Sequence, residues 1–425
     1  MVDEKAVVLQ AKSNDTAMKR SLLAALMLTS TLSFFGQQIT NNTFGKGISI
    51  LAADSSFSMK FSTRIQSLFI AEIPAENNGF EDVSSNWLIR RSRLKFDGFA
   101  FSPKFKYKIE LGLSNRDHGG ENIHTYNTSN LILDAFVRWN FYKNMEVWVG
   151  QTKLPGNRER VISSQKLQFV DRSLVNSRYN IDRDMGIQFR NKLEIGSIVT
   201  RQALAISQGE GRNRTNKKDP NPSTGFEYTG RLEVLPLGEF TGKGDYFGSD
   251  LKREETPKIS FGVTYDLNVK AARTGGNLGD YVDDDQGLVI DTALATLNTI
   301  VADVMFKFKG FSLASEYANK TMDGERIVND EGEFINNYYT GTGLTVQAGY
   351  LLKNNLEPAI RYTTITPELE SGRDLQEMIT LGLSRYIVGH SLKVQTDFSL
   401  LRETDQFTRV ESDEYLWRFQ IEMAF

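Results

Sequence analysis

The chain ends on twelve residues of strict alternation, from Glu414 to Phe425. Tyr415, Trp417, Phe419, Ile421, Met423 and Phe425 fall on one face at a period of two, and Glu414, Arg418, Gln420 and Glu422 fall mostly on the other. Successive side chains of a strand point to opposite sides, so this strand has one fully apolar face and one charged face. It belongs at a boundary between oil and water. A strand of a soluble sandwich also alternates, so the rest of the chain decides between a sandwich and a membrane barrel.

The chain has 425 residues, enough for two or three ordinary domains or one large barrel. Beyond its N-terminal region, no stretch reaches the roughly 18 apolar residues that a membrane helix needs. A barrel escapes that requirement because only alternate residues face lipid. Phe, Trp and Tyr make up 11% of the chain, which suits aromatic girdles at the two membrane interfaces. Cysteine is absent, which excludes disulfides, thiolate metal sites and Cys nucleophiles. The net charge of −3 gives no footprint for nucleic acid. From Met18 the sequence MKRSLLAALMLTSTLSFFGQQ has a positive start, a short apolar run and a small-residue exit. This is the pattern of a secretory signal peptide, with cleavage expected near Gly36–Gln37. The chain then divides into 1–36 (extension plus signal peptide), 37–56 (mature N-terminal segment) and 57–425 (barrel).

Strand-like segments recur at about 58–70, 86–101, 104–115, 130–141, 145–152, 184–192, 197–208, 225–235, 257–268, 299–309, 311–321, 341–352, 356–365, 377–388, 391–403 and 414–425. Tight turns, such as Ser102-Pro103, Tyr142-Lys143-Asn144 and Lys309-Gly310, alternate with long polar loops. Short turns at one end and long loops at the other are the layout of an outer-membrane barrel, and an aromatic terminal residue resembles the closing strand of such barrels. The expected fold is therefore all-β: a 16-stranded antiparallel transmembrane β-barrel with an inward-folded constriction loop. Residues 236–256 break the rule. They should form a short turn and are read as an elaborated connection, with a miscounted strand as the alternative. In 104–115, Phe105, Tyr107, Ile109, Leu111 and Leu113 alternate with Lys104, Lys106, Lys108 and Glu110. A charge on the lipid face costs about 2–4 kcal/mol near the midplane, so the charged sets belong to a wet lumen.

The segment 153–183 is the longest irregular stretch inside the barrel region. It carries Leu154, Val161, Ile162, Leu167, Phe169, Val170, Leu174 and Val175, which a solvated loop would not favour. Tethered at a barrel mouth, such a loop folds inward. It also holds Lys153, Arg158, Arg160, Lys166, Arg172, Arg178 and Arg183 against only Glu159, Asp171 and Asp182. Fixed cations and donors along a narrow path select anions, and the planar Arg fork matches phosphate oxygens. A second basic set is expected as a ladder on the lumen wall: Arg64, Arg91, Arg93 and Lys95, beside Lys104, Lys106 and Lys108. The competing view is that these cations only balance lumen acids such as Asp97, Glu110, Asp134, Glu227, Glu233 and Asp303.

The pattern Gly150-Gln151-x-Lys153-x-Pro155, Arg158-Glu159, Ser163-Ser164, Phe169-x-x-Arg172-Ser173 and Arg183-Asp184-x-Gly186 resembles the phosphate-selective porin O and P family. The run at 44–66 resembles the start of mature members from Bacteroidetes-type bacteria. The resemblance spans about 44–425. It implies an outer-membrane channel for small anions such as phosphate or polyphosphate, and a homotrimer in outer-membrane lipid. From the residues themselves no cofactor, metal, enzymatic activity or nucleic-acid partner is expected. The second reading is a structural or binding barrel within an outer-membrane assembly, with little channel activity. His118 and His124 with Asp117 and Glu121 match no metal spacing, and His390 sits in a predicted turn. The acidic run Asp280, Asp283, Asp284 and Asp285 does not match an EF-hand loop.

Overall fold

The computed structural model describes residues 38–40, 43–75, 83–114, 117–118, 130–214, 225–282, 294–324, 328 and 338–425. The predicted signal peptide, His124 and Asp283 to Asp285 lie outside these residues. Two short strands, β1 (Gln38–Thr40) and β2 (Ile48–Leu51), precede the barrel. The barrel strands are β3 (Phe57–Ala75), β4 (Ser84–Ala100), β5 (Ser102–Gly112), β6 (Ile132–Tyr142), β7 (Met145–Lys153), β8 (Arg183–Ile195), β9 (Ile198–Ser207) and β10 (Glu227–Leu235). They continue as β11 (Lys258–Ala271), β12 (Ala295–Phe308), β13 (Phe311–Asp323), β14 (Gly341–Tyr350), β15 (Leu356–Pro367), β16 (Leu375–Val388), β17 (Leu392–Thr404) and β18 (Glu411–Ala424). Each pairs antiparallel with its sequence neighbour, and β18 pairs with β3 to close the ring. Sixteen strands, as the alternation requires, leave no open edge around the ring.

β3 shares one edge between two partners. Arg64 to Ala75 pair with β18, while Phe57 to Phe61 pair with β2. Between them Thr63 exchanges backbone bonds of 2.7 and 3.0 Å with Phe425. The long strands β3 and β4 thereby extend past the last residue of β18 at the end that carries the short turns, here called the turn end.

The face assignment follows the alternation. On β18, Arg418, Gln420 and Glu422 are buried inside, while Trp417, Ile421 and Met423 are exposed outside. Aromatic pairs knit the outer face, including Phe69 with Trp417 at 5.3 Å and with Trp87 at 5.6 Å. Two details differ from expectation. The β4–β5 hairpin turns on Phe101 alone, at φ 65°, and Ser102-Pro103 open the next strand. Opposite the Gln66–Ser67 step, β4 carries one extra residue, Arg90, as a bulge. The bulge turns Arg90 and Arg91 to the same side.

Candidate functional site

Segment 154–182 packs against the inner wall formed by β9 to β17. It contains two short helices, α1 (Arg158–Val161) and α2 (Leu174–Arg178), the second capped by the Ser173 hydroxyl accepting from the Asn176 N–H. Most of its apolar residues are buried, while Val161 and Leu174 are half-buried at the edge of the remaining lumen. Leu154, Val175, Tyr179 and Ile181 pack on Ala205, Val301, Ala318 and Ile365. Ile162 and Leu167 join Val199, Leu235, Met305 and Phe240. Where Phe169 approaches, the wall has no side chain: a Cβ added to Gly382 would sit 2.8 Å from the Phe169 ring.

Residues 236–256 contain no strand. They also turn inward, and Phe240, Asp245 and Tyr246 are part of a buried layer with segment 154–182. The Gly248 N–H donates to the Lys166 carbonyl at 2.7 Å. The Lys307 ammonium on β12 donates to the carbonyls of Gly244, Phe247 and Ser249 at 2.6–2.8 Å. The two inward segments therefore interlock and fill one side of the lumen.

Arg158 holds this junction. It is 3% exposed and bonds Asp303 at 2.9 Å, Ser260 at 2.9 Å, and Asp245 and Glu233 at 3.3 Å. Asn157 donates to Glu316 at 3.0 Å and accepts the Ile181 N–H at 2.8 Å. Asp171 reaches across the lumen to Arg90 at 2.7 Å and Arg91 at 2.8 Å. Burial alone would raise the Asp171 pKa, but Arg91 and Arg90 outweigh it and hold the carboxyl well below the usual range.

Opposite the filled side, a cavity of about 1310 Å³ runs along β3 to β8. Sixteen Lys and Arg side chains line it against six Asp and Glu, so its wall is strongly positive. Of the residues singled out from the sequence, Lys153, Arg160, Arg172 and Arg183 reach this passage from the inward segment and its flanks, and Arg64, Arg91, Arg93, Lys95, Lys106 and Lys108 reach it from the wall. Arg158, Lys166, Arg178 and Lys104 do not line it. Arg158 is sealed in its carboxylate cluster, and Arg178 donates to Gln376 at 3.0 Å. Lys104 lies on β5 close to the turn. Lys166 sits 3.8 Å from the Phe247 ring, between the two inward segments. His390 is buried between Phe247 and Tyr386, while His118 is exposed.

Many of the wall cations are balanced: Arg64 by Glu422 at 3.3 Å, Lys95 by Asp97 at 2.8 Å, Lys108 by Glu110 at 2.7 Å, Arg183 by Asp134 at 2.7 Å, and Arg93 by Asp117. Others form no ion pair among the described residues. Lys153 donates only to the carbonyls of Arg160, Val161 and Ile162, and Arg172 to those of Glu159 and Ile162. The site residues singled out from the sequence leave out Lys60, Arg138, Arg190, Arg212 and Arg418, and leave Arg90 beside the ladder instead of in it, yet all six line the passage. Arg138, Arg190 and Arg418 lie at inward parity on their strands, a signal that was present in the alternation.

Lys166 yields a pH prediction. Burial first, then the nearby Lys95 and Lys243, push its pKa down to about 8. An unfolded lysine titrates near 10.4, so between about pH 8 and 10 the unfolded chain binds more protons than the folded one. Stability contributed at this site therefore rises with pH across that window. The melting temperature is expected to climb there, and Lys166→Met is expected to flatten the climb.

The profile of the family described as phosphate-selective porin O and P matches residues 64–425. An uncharacterized protein of Aquifex aeolicus (strain VF5) is 24% identical over 390 residues, covering 86% of this chain and 87% of that protein. Among solved structures, the anion-selective porin from Comamonas acidovorans has a TM-score of 0.51 at 12% identity, over 87% of this chain and all of that one. OprB of Pseudomonas putida, in its high-pH structure, has a TM-score of 0.52 at 9% identity, over 86% and 94% of the two chains. At these identities the structural likeness speaks for the fold.

Proposed function

We propose that this chain, which belongs to the phosphate-selective porin O and P family and is an outer-membrane channel, passes small anions and prefers phosphate-type oxyanions. The observation that carries the preference is the passage wall, with sixteen basic and six acidic side chains. A dehydrating anion is stabilised by fixed cations along its path, while no single site has to hold it tightly. Lys153 and Arg172 are the selectivity residues favoured by the geometry. Each is anchored by backbone carbonyls that orient it without neutralising it. Balanced pairs such as Lys108 with Glu110 shape the wall and add little net field.

The test is a planar bilayer with a KCl gradient, followed by titration of phosphate. The expected result is an anion-selective reversal potential with phosphate-dependent block of chloride current. Arg172→Ala is expected to raise the phosphate concentration for half-block by about tenfold, the equivalent of one charge-assisted bond. Cation selectivity would sink the reading, and a complete lack of conductance would favour the structural barrel.

A further inference from the structure

The passage wall carries an aromatic strip that anion conduction does not use. The chain has four tryptophans. Trp87, Trp139 and Trp417 are exposed on the outer face, where lipid receives them. Trp148 points inward and lines the passage together with Phe136. Their rings stack with centroids 5.0 Å apart and 18° between planes. The Trp148 Nε1–H donates to Glu146 at 2.8 Å, which fixes the ring. The lumen face of a barrel strand is ordinarily polar, and two large rings in a wet channel have no core to cover them.

Cations frame the strip. The Arg190 guanidinium lies 4.2 Å from the Trp148 centroid, and that of Arg138 lies 5.7 Å away. Lys106 stands directly opposite Arg138 across the β5–β6 ladder. Like charges in that position repel, and among the described residues neither forms an ion pair. An arrangement that costs stability in the empty channel is relieved by an anion between the two cations.

From this juxtaposition we infer that Lys106, Arg138, Phe136 and Trp148 form a subsite for organic anions that carry a flat ring, such as an aromatic phosphomonoester or carboxylate. The anionic head meets Lys106 and Arg138, and the ring lies along Phe136 and Trp148. The inference rests on the anion reading for the sign of its ligand, and it adds the ring as a recognised feature. It lies on the turn-end half of the wall, since β6 runs from Ile132 to the turn at Lys143.

The experiment compares block of chloride current by phenyl phosphate and by methyl phosphate, which share a head group and differ in the ring. Ring contact of this kind should give phenyl phosphate half-block at about a fivefold lower concentration. In Trp148→Ala the ratio should fall to near one, and Trp148→Phe should largely keep it. Phe136→Ala should lower the ratio in the same way and serves if Trp148→Ala does not insert. A ratio near one in the unaltered protein overturns the inference, as does a ratio that survives both alanine variants. The reversal potential separates this from the broader reading. An anion-selective channel with a ratio near one loses only the ring subsite. A cation-selective channel that still favours phenyl phosphate through Trp148 loses only the anion preference.

Discussion

Arg158→Ala is expected to lower stability by about 3 kcal/mol and to raise the conductance and noise of the open channel, with the barrel intact. Removing one partner of a buried ion pair costs about 3–5 kcal/mol, because the other charge is left buried and uncompensated. Here the lower figure applies. Asp303 keeps Arg231 at 2.7 Å, Glu233 keeps Arg231 at 2.9 Å, and Asp245 keeps Arg201 at 2.5 Å. The loss falls on the junction between the two inward segments, since Arg158 alone among the Arg158 cluster's cations belongs to segment 154–182. The strand ladders are untouched, so the protein should still insert and run as a folded barrel. Arg158→Lys keeps the charge and loses the fork, and should recover only part of the stability. Melting measurements and single-channel recordings check both. Wild-type values in each would mean that Arg158 does not hold the segment in place.

The second large effect concerns residues 236–256. Replacing 239–252 with a short Gly/Ser linker should raise single-channel conductance about twofold or more, because a sixteen-stranded barrel without inward segments leaves an open aqueous channel. The linker has little to span, since the neighbouring residues Val234 and Phe261 are paired across β10 and β11. The change in selectivity has a definite sign. The deletion removes Glu239, Asp245 and Asp250 with Lys243 and Lys252, three acids against two bases, and the loss of Asp245 and Glu239 leaves Arg158 and Arg201 with less negative charge around them. Anion selectivity should therefore hold or increase while size discrimination declines. Unchanged conductance would show that these residues do not narrow the path.

The barrel was legible because lipid imposes a two-residue rule on every strand, and β18 displays that rule from Tyr415 to Phe425. The inward fold of 154–182 was legible from its own apolar residues. Its landing site was less so. β12 places Leu297, Val301 and Met305 on its inner face, where alternation calls for polar groups, and that broken alternation marks a covered wall. Gly382 facing Phe169 carries the same message in another form. The role of Arg158 could not be read from sequence, because its partners Glu233, Asp245 and Asp303 come from three separate stretches of chain. Net charge in the loop ranked it with Arg172, whereas burial separates the two. The Arg90 bulge was hidden for a related reason: one extra residue reverses a parity that counting along the strand assumes constant.

The seam at β3 has a consequence for how the molecule comes into being. Its edge is completed by β18, in a pairing where the Gln66 amide side chain donates to that of Gln420 across 354 residues of sequence. Until β18 docks, one edge of the first barrel strand keeps unpaired backbone groups for most of its length, with only β2 covering one end. Contacts of such long range form slowly, because their loop-closure entropy is lost before they contribute anything. The nascent chain is thus an adhesive ribbon with two waiting edges, prone to join a neighbour instead of itself. The ring is complete only once β18 has docked on β3.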